Sequence, residues 1–217
     1  MDREQVIQHY RHNQGMIGSR LEEFQDLENA DDYRLFMELV FVILTSQSSA
    51  RNSWEAVKEL DEKDLLLKGD SPAISRVLST HDIQYENKKA DYIVKNREYL
   101  SQPTLTTPTN ELRIKEKLDS DPEKSRKWMV ENLEGVSWKA ASHFLRNTGN
   151  GDLAIISGHI LKKLKMLGVI DSIERPSNYD EYRYLEHDME EFANQIGISL
   201  SALDLTLWSM ETGEVFK

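Results

Sequence analysis

The sequence contains no cysteine among its 217 residues. Without thiols the chain can form neither disulfides nor thiolate metal sites, and it cannot ligate an iron–sulfur cluster through cysteine. The six histidines are scattered, and no carboxylates accompany them at a metal-ligand spacing, so neither a metal nor another cofactor is predicted. Any chemistry must therefore come from ordinary side chains.

Long apolar runs are also missing. The longest covers residues 39–44, far short of the roughly 20 residues that a membrane-spanning helix requires. Residues 1–5 are polar and lack the apolar core of a signal peptide. These absences predict a cytoplasmic protein with no membrane partner.

No segment sustains the alternation of apolar and polar residues that strands show. Apolar residues instead recur at helical spacing almost throughout, so the fold class is predicted to be all-α. The proline-containing segment 102–110 is typical of a loop or a junction between lobes. In the second half of the chain, helices are predicted at residues 111–118, 123–133, 138–146, 159–167, 180–196 and 200–210.

Negative charge dominates, with a formal net charge of −11 at pH 7. This charge argues against a general nucleic-acid coat protein. Its distribution is uneven, however: residues 135–170 hold five basic side chains and one acidic, whereas residues 171–217 hold eleven acidic and three basic. A small basic region on an acidic body is typical of an enzyme that binds a few phosphates.

The most informative stretch is residues 133–141, Leu-Glu-Gly-Val-Ser-Trp-Lys-Ala-Ala, which places a turn between two helical patterns. Backbone amides at the start of the second helix can bind a phosphate. The same partial positive charge disfavours an ammonium, which pushes Lys139 toward the neutral amine that can attack carbon. From the residues alone, Lys139 is either a nucleophile or a solvated lysine that contacts a phosphate.

This stretch resembles the helix-hairpin-helix motif Leu-Pro-Gly-Val-Gly-x-Lys-x-Ala, with Glu134 and Ser137 in place of the proline and second glycine. Residues 135–147 further resemble the type-2 8-oxoguanine DNA glycosylase/AP lyases, within the helix-hairpin-helix DNA glycosylase superfamily. Other matching stretches are residues 38–45, 89–94, 203–208 and 212–217. The resemblance spans the chain from about Arg34 to Lys217, and the lack of cysteine excludes the cluster-bearing branch of the superfamily.

The resemblance implies a fold and a partner. The chain would be one two-lobed helical bundle over residues 1–217, with a middle lobe at about 31–102 and a second lobe formed by 1–30 and 103–217. Double-stranded DNA with a damaged base would lie in the cleft between the lobes, and the protein would act as a monomer at the nucleoid of a prokaryote. A flipped base would enter a pocket.

The resemblance also implies a mechanism of base excision. Lys139 would displace oxidised guanine and form a Schiff base with the sugar, which allows strand cleavage. Ser157 stands where the family has an Asp, and a serine cannot supply a negative charge at pH 7. Excision is therefore expected to be slower, by about two to three powers of ten, unless another group compensates. The alternatives are a catalytically impaired sensor of damaged or modified bases and a glycosylase for a different modified base.

The resemblance implies roles for further residues, but the motifs that contain these residues are less specific to the family. Gln47 and Ser48 lie in a turn where relatives place a side chain that fills the gap left by the flipped base, although this run also looks like a helix cap. Trp208 would stack on the base or else belong to the core. His159 would bind a phosphate or start a helix. The predicted DNA-binding residues are Gln47, Ser48, Gly135, Val136, Ser137, Arg146 and His159, and the predicted base-binding residues are Tyr85, Trp208 and Lys217.

Overall fold

The computed structural model describes residues 1–103 and 110–217. The described residues form helices and no strand, which confirms the all-α prediction. In chain order the α-helices are α1 (Arg3–Asp26), α2 (Asp32–Leu44), α3 (Ala50–Glu62), α4 (Leu65–Lys68), α5 (Ser71–Thr80), α6 (Glu86–Leu100), α7 (Pro122–Asn132), α8 (Trp138–Asn147), α9 (Gly158–Met166), α10 (Tyr179–Ile196) and α11 (Leu200–Thr212). Most of the predicted loop at 102–110 lies outside the described residues.

Short polar side chains set the helix starts. An Asp, Ser or Asn before the first turn accepts a hydrogen bond from a backbone amide two or three residues later, which satisfies a donor that the helix leaves unpaired. The capping residues are Asp2, Asp31, Ser49, Asp70, Asp121, Ser157, Asn178 and Ser199.

The helices group into two compact units: a middle unit, Asn29–Phe144, and a terminal unit made of Met1–Glu28 and Leu145–Lys217. In the middle unit α2 is the central helix, with residues 35–44 all buried. It packs against α3 and α6, and α5 packs against α6. The only charged side chain in this buried run is Glu38, which pairs with Arg34 at 3.0 Å.

The terminal unit is built around α11, whose residues 200–207 and 209 are buried. Helices α1, α9 and α10 pack against it. One part of its core joins Ile17 and Phe24 of α1 to Ala202 and Leu205 of α11.

The middle unit ends at Phe144, whereas the sequence predicts that the middle lobe ends near residue 102. Residues 110–144, including α7 and the turn after it, belong to the middle unit. One contact that joins this segment to the middle unit is made by the side chain of Asn96 on α6, which hydrogen-bonds the backbone of Glu134.

The helix predicted at 111–118 is wrong. This segment contains only a short 3₁₀ turn, Lys115–Lys117. The amides of Ile114 and Lys115 donate to the Asp32 carboxylate at 2.6 and 2.8 Å, and the Arg113 amide donates to Leu100 O. The segment therefore finds its acceptors in neighbouring helices rather than in its own turn.

Across residues 1–103 and 110–217, none of the helices is long and apolar enough to cross a membrane.

The start of α11 depends on a side chain from outside the helix. The Asp152 carboxylate accepts from the amides of Leu200 at 2.9 Å and Ser201 at 2.6 Å. We expect Asp152→Ala to lower the free energy of unfolding by about 1–2 kcal/mol, because two helix N-terminal donors lose their acceptor. Urea unfolding measures this change, and Asp171→Ala, at an exposed acidic position, is the matched control, with an effect within about 0.5 kcal/mol. Equal stabilities of the two variants would contradict the prediction.

Candidate active site

The turn between α7 and α8 is fixed to α6 through the backbone. Asn96 donates to Glu134 O at 2.9 Å and accepts from Glu134 N at 2.8 Å. Gly135 has a φ of +77°, and a Cβ there would collide with the Tyr92 ring. Because only glycine combines that φ with such a close approach, Gly135 lets the turn lie against α6.

The start of α8 presents backbone donors. Ser137 caps the helix: its Oγ accepts from Ala140 N at 3.3 Å, and its carbonyl accepts from Ala141 N at 2.9 Å. Within the part of the chain that the structure describes, the amides of Gly135, Val136 and Ser137 have no hydrogen-bond acceptor. The Val136 side chain is buried, so this residue can offer an anion its backbone rather than its side chain.

Lys139 occupies the second position of α8 and is half-buried. The position is the one that the hairpin motif predicts, directly after the turn. A second lysine, Lys89 of α6, is close enough for the two charges to repel each other. The Lys139 amine at the start of α8 is therefore within electrostatic range of a second amine, that of Lys89.

Lys89 is only 4% exposed. Its Nζ donates to Leu44 O at 2.9 Å, to Ser46 O at 2.6 Å and to Ser48 Oγ at 3.2 Å. Burial, followed by repulsion from Lys139, lowers the pKa of Lys89 from 10.5 to about 8. A buried cation is thus held at the end of α2 by oxygen atoms of the following turn.

That turn, residues 45–49, carries Gln47. Gln47 is exposed and has a φ of +57°, which is uncommon for a residue with a side chain. Ser48 does not cap α3, since Ser49 has that role. The Ser48 hydroxyl instead accepts from Gln84 N at 2.9 Å and from Lys89.

Tyr85 begins α6 with a φ of +59°, and it is 59% exposed. A bulky aromatic in the left-handed region is a strained conformation that folding alone does not favour. Tyr85 and Gln47 therefore share two properties, positive φ and exposure, and Ser48 links the turns that carry them.

In the terminal unit, Ser157 is the N-cap of α9. Its Oγ accepts from Ile160 N at 3.3 Å. The sequence pattern indicates only that a carboxylate is missing at this position; the capping role is seen in the structure. An Asp would cap the helix as well as a Ser, so the local fold does not distinguish the two.

His159, the second residue of α9, contacts two residues of α11. Its ring meets the Trp208 ring edge-on, with 5.4 Å between centroids, and its Nδ1 lies 3.4 Å from the Glu211 carboxylate. Lys163 binds the same carboxylate at 2.9 Å, and Lys163, followed by His159, lowers the pKa of Glu211. The structure thus brings His159 together with Trp208, both predicted as site residues.

Trp208 is partly exposed, unlike most of its neighbours in α11. Its indole Nε1 is buried, and among the described residues it has no hydrogen-bond acceptor. Lys217 follows α11 after the left-handed Gly213 and is also partly buried. Neither residue has the surroundings of a fully packed core side chain.

Arg146 is placed differently from the sequence-based prediction. Its side chain is buried, its Nη1 lies 3.5 Å from the Asp204 carboxylate, and its guanidinium lies 4.7 Å from the centre of the Phe24 ring. A guanidinium in these surroundings is part of the terminal unit's core. The phosphate contact from Arg146 stays a prediction, and the Arg146 side chain is buried where the structure places it.

Sequence reasoning missed Lys89, Asn96 and Glu211. A signal existed for the first two, because Lys89, Ile93, Asn96 and Leu100 fall on one face of α6 and all are buried. Polar side chains on an apolar helical face require partners, which is itself an indication of a role. Glu211 had no comparable signal, since its partners come from a separate helix.

Among the described residues, no group of three or more His, Asp or Glu side chains is arranged to hold a metal ion.

Comparison with known proteins gives consistent matches. Residues 17–198 match a family model described as 8-oxoguanine DNA glycosylase. The chain is 34% identical over 212 residues to an 8-oxoguanine DNA glycosylase/AP lyase of Fusobacterium nucleatum, covering 96% of this chain and 94% of that protein. A relative of the same description from Methanocaldococcus jannaschii is 32% identical over 202 residues, covering 93% and 92%.

Crystal structures of 8-oxoguanine DNA glycosylases also match this chain. The crystal structure of the Thermotoga maritima 8-oxoguanine DNA glycosylase matches with a TM-score of 0.87 and 32% identity, covering 99% of this chain and 97% of that one. The Methanocaldococcus jannaschii 8-oxoguanine glycosylase/lyase, in complex with a 15mer DNA containing 8-oxoguanine, matches with a TM-score of 0.83 and 28% identity, covering 98% and 100%.

The buried charge of Lys89 makes a prediction about stability and pH. Since its pKa is lowered from 10.5 to about 8, the folded chain loses this proton before the unfolded chain does. Between pH 8 and 10.5 the unfolded state binds more protons, so the stability of the wild type relative to Lys89→Met should rise with pH, by up to about 3 kcal/mol. Leu44 O, Ser46 O, Ser48 Oγ and the Lys139 amine are the polar groups that face this ammonium.

Urea unfolding of both chains at several pH values between 7.5 and 10 measures this difference. Lys95→Met, on the exposed part of the same helix, is the control and should show no such slope. A difference between wild type and Lys89→Met that stays flat or falls across this range would contradict the assignment.

Proposed function

Because the chain belongs to the 8-oxoguanine DNA glycosylase family, we propose that it removes oxidised guanine from duplex DNA and then cleaves the strand at the resulting abasic site. The observation that carries this proposal is Lys139 at the start of α8. It follows a turn with three unpaired amides, and it lies within the field of a second ammonium, that of Lys89.

Each of these features assists a lysine nucleophile. The unpaired amides of Gly135, Val136 and Ser137 can bind a DNA phosphate, which positions the strand beside Lys139. The helix N-terminus and the ammonium of Lys89 both disfavour a charge on Lys139, and a neutral amine is the form that attacks carbon.

The reaction begins with attack of the Lys139 Nζ on C1′ of the damaged nucleotide. The bond from C1′ to the base breaks, and the base leaves with its bonding electrons. Opening of the sugar ring then gives a Schiff base between Nζ and C1′. Loss of a proton from C2′ expels the 3′ phosphate by β-elimination, and hydrolysis of the Schiff base frees the enzyme.

Other residues keep the roles proposed from the sequence. We assign Gln47 and Ser48 to the turn that enters the duplex, with Gln47 as the exposed tip. Trp208 would stack on the base, and its unpaired Nε1 supports a polar partner absent from the described chain. Tyr85 and Lys217 remain proposed base contacts, and His159 a proposed phosphate contact.

Ser157 favours a second candidate function. Without a carboxylate at this position, charge that develops on the sugar lacks the group that the family supplies there. A chain that binds damaged DNA and excises slowly would act as a sensor of damaged or modified bases. A pocket for a different modified base is the remaining alternative.

We further propose that the protein works as a monomer in the cytoplasm, at the nucleoid. The composition of the chain, without cysteine, supports this setting.

Lys139 can be tested as the nucleophile by chemical trapping. Borohydride should reduce the Schiff base and leave a covalent complex between the chain and duplex DNA that contains an abasic site. Lys139→Gln should abolish this complex. Lys139→Arg is the matched control, because it keeps a cation for a phosphate and lacks the reactive amine: it should bind abasic DNA and form no complex. Binding by the wild type without any trapped complex would rule out the nucleophile.

The role of position 157 can be tested with a charged and a neutral cap. Asp and Asn both cap helices well, so Ser157→Asp and Ser157→Asn should leave α9 intact and differ in charge alone. We expect the Asp variant to excise 8-oxoguanine at least about tenfold faster than the wild type in single turnovers, since it restores charge stabilisation. The Asn variant should not. Cleavage of a preformed abasic site should change little, because no glycosidic bond remains to be broken.

Robust excision by the wild type, equal to that of the Asp variant, would show that another group has replaced the carboxylate. Absence of 8-oxoguanine excision from both, with DNA binding retained, would favour the sensor or a different base.

A further inference from the structure

Two strained turns of the middle unit are joined by one small polar cluster. The Gln47 turn (residues 45–49) and the Tyr85 turn (residues 81–85) each contain an exposed residue with positive φ, Gln47 and Tyr85. Ser48 Oγ lies between them, accepting from Gln84 N at 2.9 Å and from Lys89 Nζ at 3.2 Å. Positive φ at a residue with a side chain persists only where surrounding contacts enforce it.

Lys89 supplies two of the contacts that enforce the shape of the Gln47 turn. Its ammonium reaches the last carbonyl of α2, Leu44 O, and the carbonyl of Ser46, the residue before Gln47. Helix carbonyls at a C-terminus carry partial negative charge, so a cation suits them better than a neutral donor. Both carbonyls accept from the buried Nζ. The next residue, Gln47, is thereby held at the surface, where it is exposed.

We propose that Lys89 is a positioning residue that holds the Gln47 turn in the shape that enters a DNA duplex. This inference rests on the proposed function, because it presumes that the Gln47 turn meets DNA. Lys89 is buried and reaches no substrate itself; it acts through the backbone of residues 44–48. Replacing its ammonium with an apolar group leaves two inward carbonyls without a donor, and the turn would reorganise to hydrate them.

The same ammonium also acts on the reaction centre. Its charge and that of Lys139 repel each other. One buried cation therefore contacts the turn and lies within electrostatic range of the proposed nucleophile. The two effects can be separated, because opening a duplex needs the turn whereas attack on a single-stranded abasic site does not.

The absence of cysteine from the chain makes a specific test available. In Lys89→Cys the only thiol is at position 89, and alkylation in urea followed by refolding modifies it alone. Treatment with 2-bromoethylamine gives a lysine isostere with an ammonium. Treatment with 1-iodopropane gives an apolar side chain of the same shape. Lys95→Cys, modified in the same two ways at an exposed position of α6, is the matched control, and thermal unfolding shows which products are folded.

The readout for the turn is the fluorescence of 2-aminopurine placed next to 8-oxoguanine in a duplex, which rises when the bases unstack. We expect the ammonium form to open the duplex like the wild type and the apolar form to need about tenfold more protein or worse. Borohydride trapping on a single-stranded abasic oligonucleotide should fall far less. Both Lys95→Cys products should behave as the wild type does.

Equal duplex opening by the two forms at position 89 would overturn the proposal, as would a loss of trapping as large as the loss of opening. If the wild type binds DNA but opens no duplex, the assignment of Gln47 to the turn that enters the duplex is wrong, and the inference about Lys89 is wrong with it. This result differs from the two above, in which the wild type opens the duplex. Should the apolar form not refold, Ser48→Ala removes one partner of the ammonium and keeps the lysine. It should weaken opening in the same direction, and an unchanged signal would count against the proposal.

Discussion

One side chain, the amide of Asn96, hydrogen-bonds both backbone groups of Glu134. This double contact fixes the direction in which the chain leaves α7, and the turn that precedes α8 depends on it. Gly135 can lie against the Tyr92 ring only because the turn is held there. Among the described residues the amides of Gly135, Val136 and Ser137 have no acceptor, and Lys139 follows at the start of α8. A phosphate-binding turn needs rigid donors more than it needs positive side chains.

The same helix, α6, holds the second turn through Lys89, so α6 organises both. Asn96 and Lys89 lie two turns apart on its buried face. Burying an amide and an ammonium is unfavourable unless each is fully hydrogen-bonded, and here the partners are backbone groups of the two turns. Hydrophobic packing alone would place α6 against α2 and α5 without fixing where the turns point. The hydrogen bonds of Lys89 and Asn96 fix where the two turns point.

The sequence predicts the helices well because their starts carry short capping side chains and their buried faces recur with helical period. It predicts Lys139 because the hairpin turn is local. The helix predicted at residues 111–118 is wrong because the acceptor of this segment, Asp32, is distant in sequence. The buried partner of Arg146, Asp204, is distant in sequence as well. A local pattern shows that a side chain is basic or that a segment can be helical. It does not show which remote carboxylate will reach it.

Position 157 illustrates how chemistry can change while a fold does not. The Ser157 hydroxyl accepts from the Ile160 amide as an N-cap, and Ser and Asp are near-equivalent caps because either offers an oxygen to that donor. Selection for stability is therefore nearly unaffected by an exchange between Ser and Asp at this position. Selection for catalysis is not, since only the carboxylate carries charge at neutral pH. A charge at this helix cap can therefore be gained or lost in a single substitution while the cap hydrogen bond to the Ile160 amide is kept.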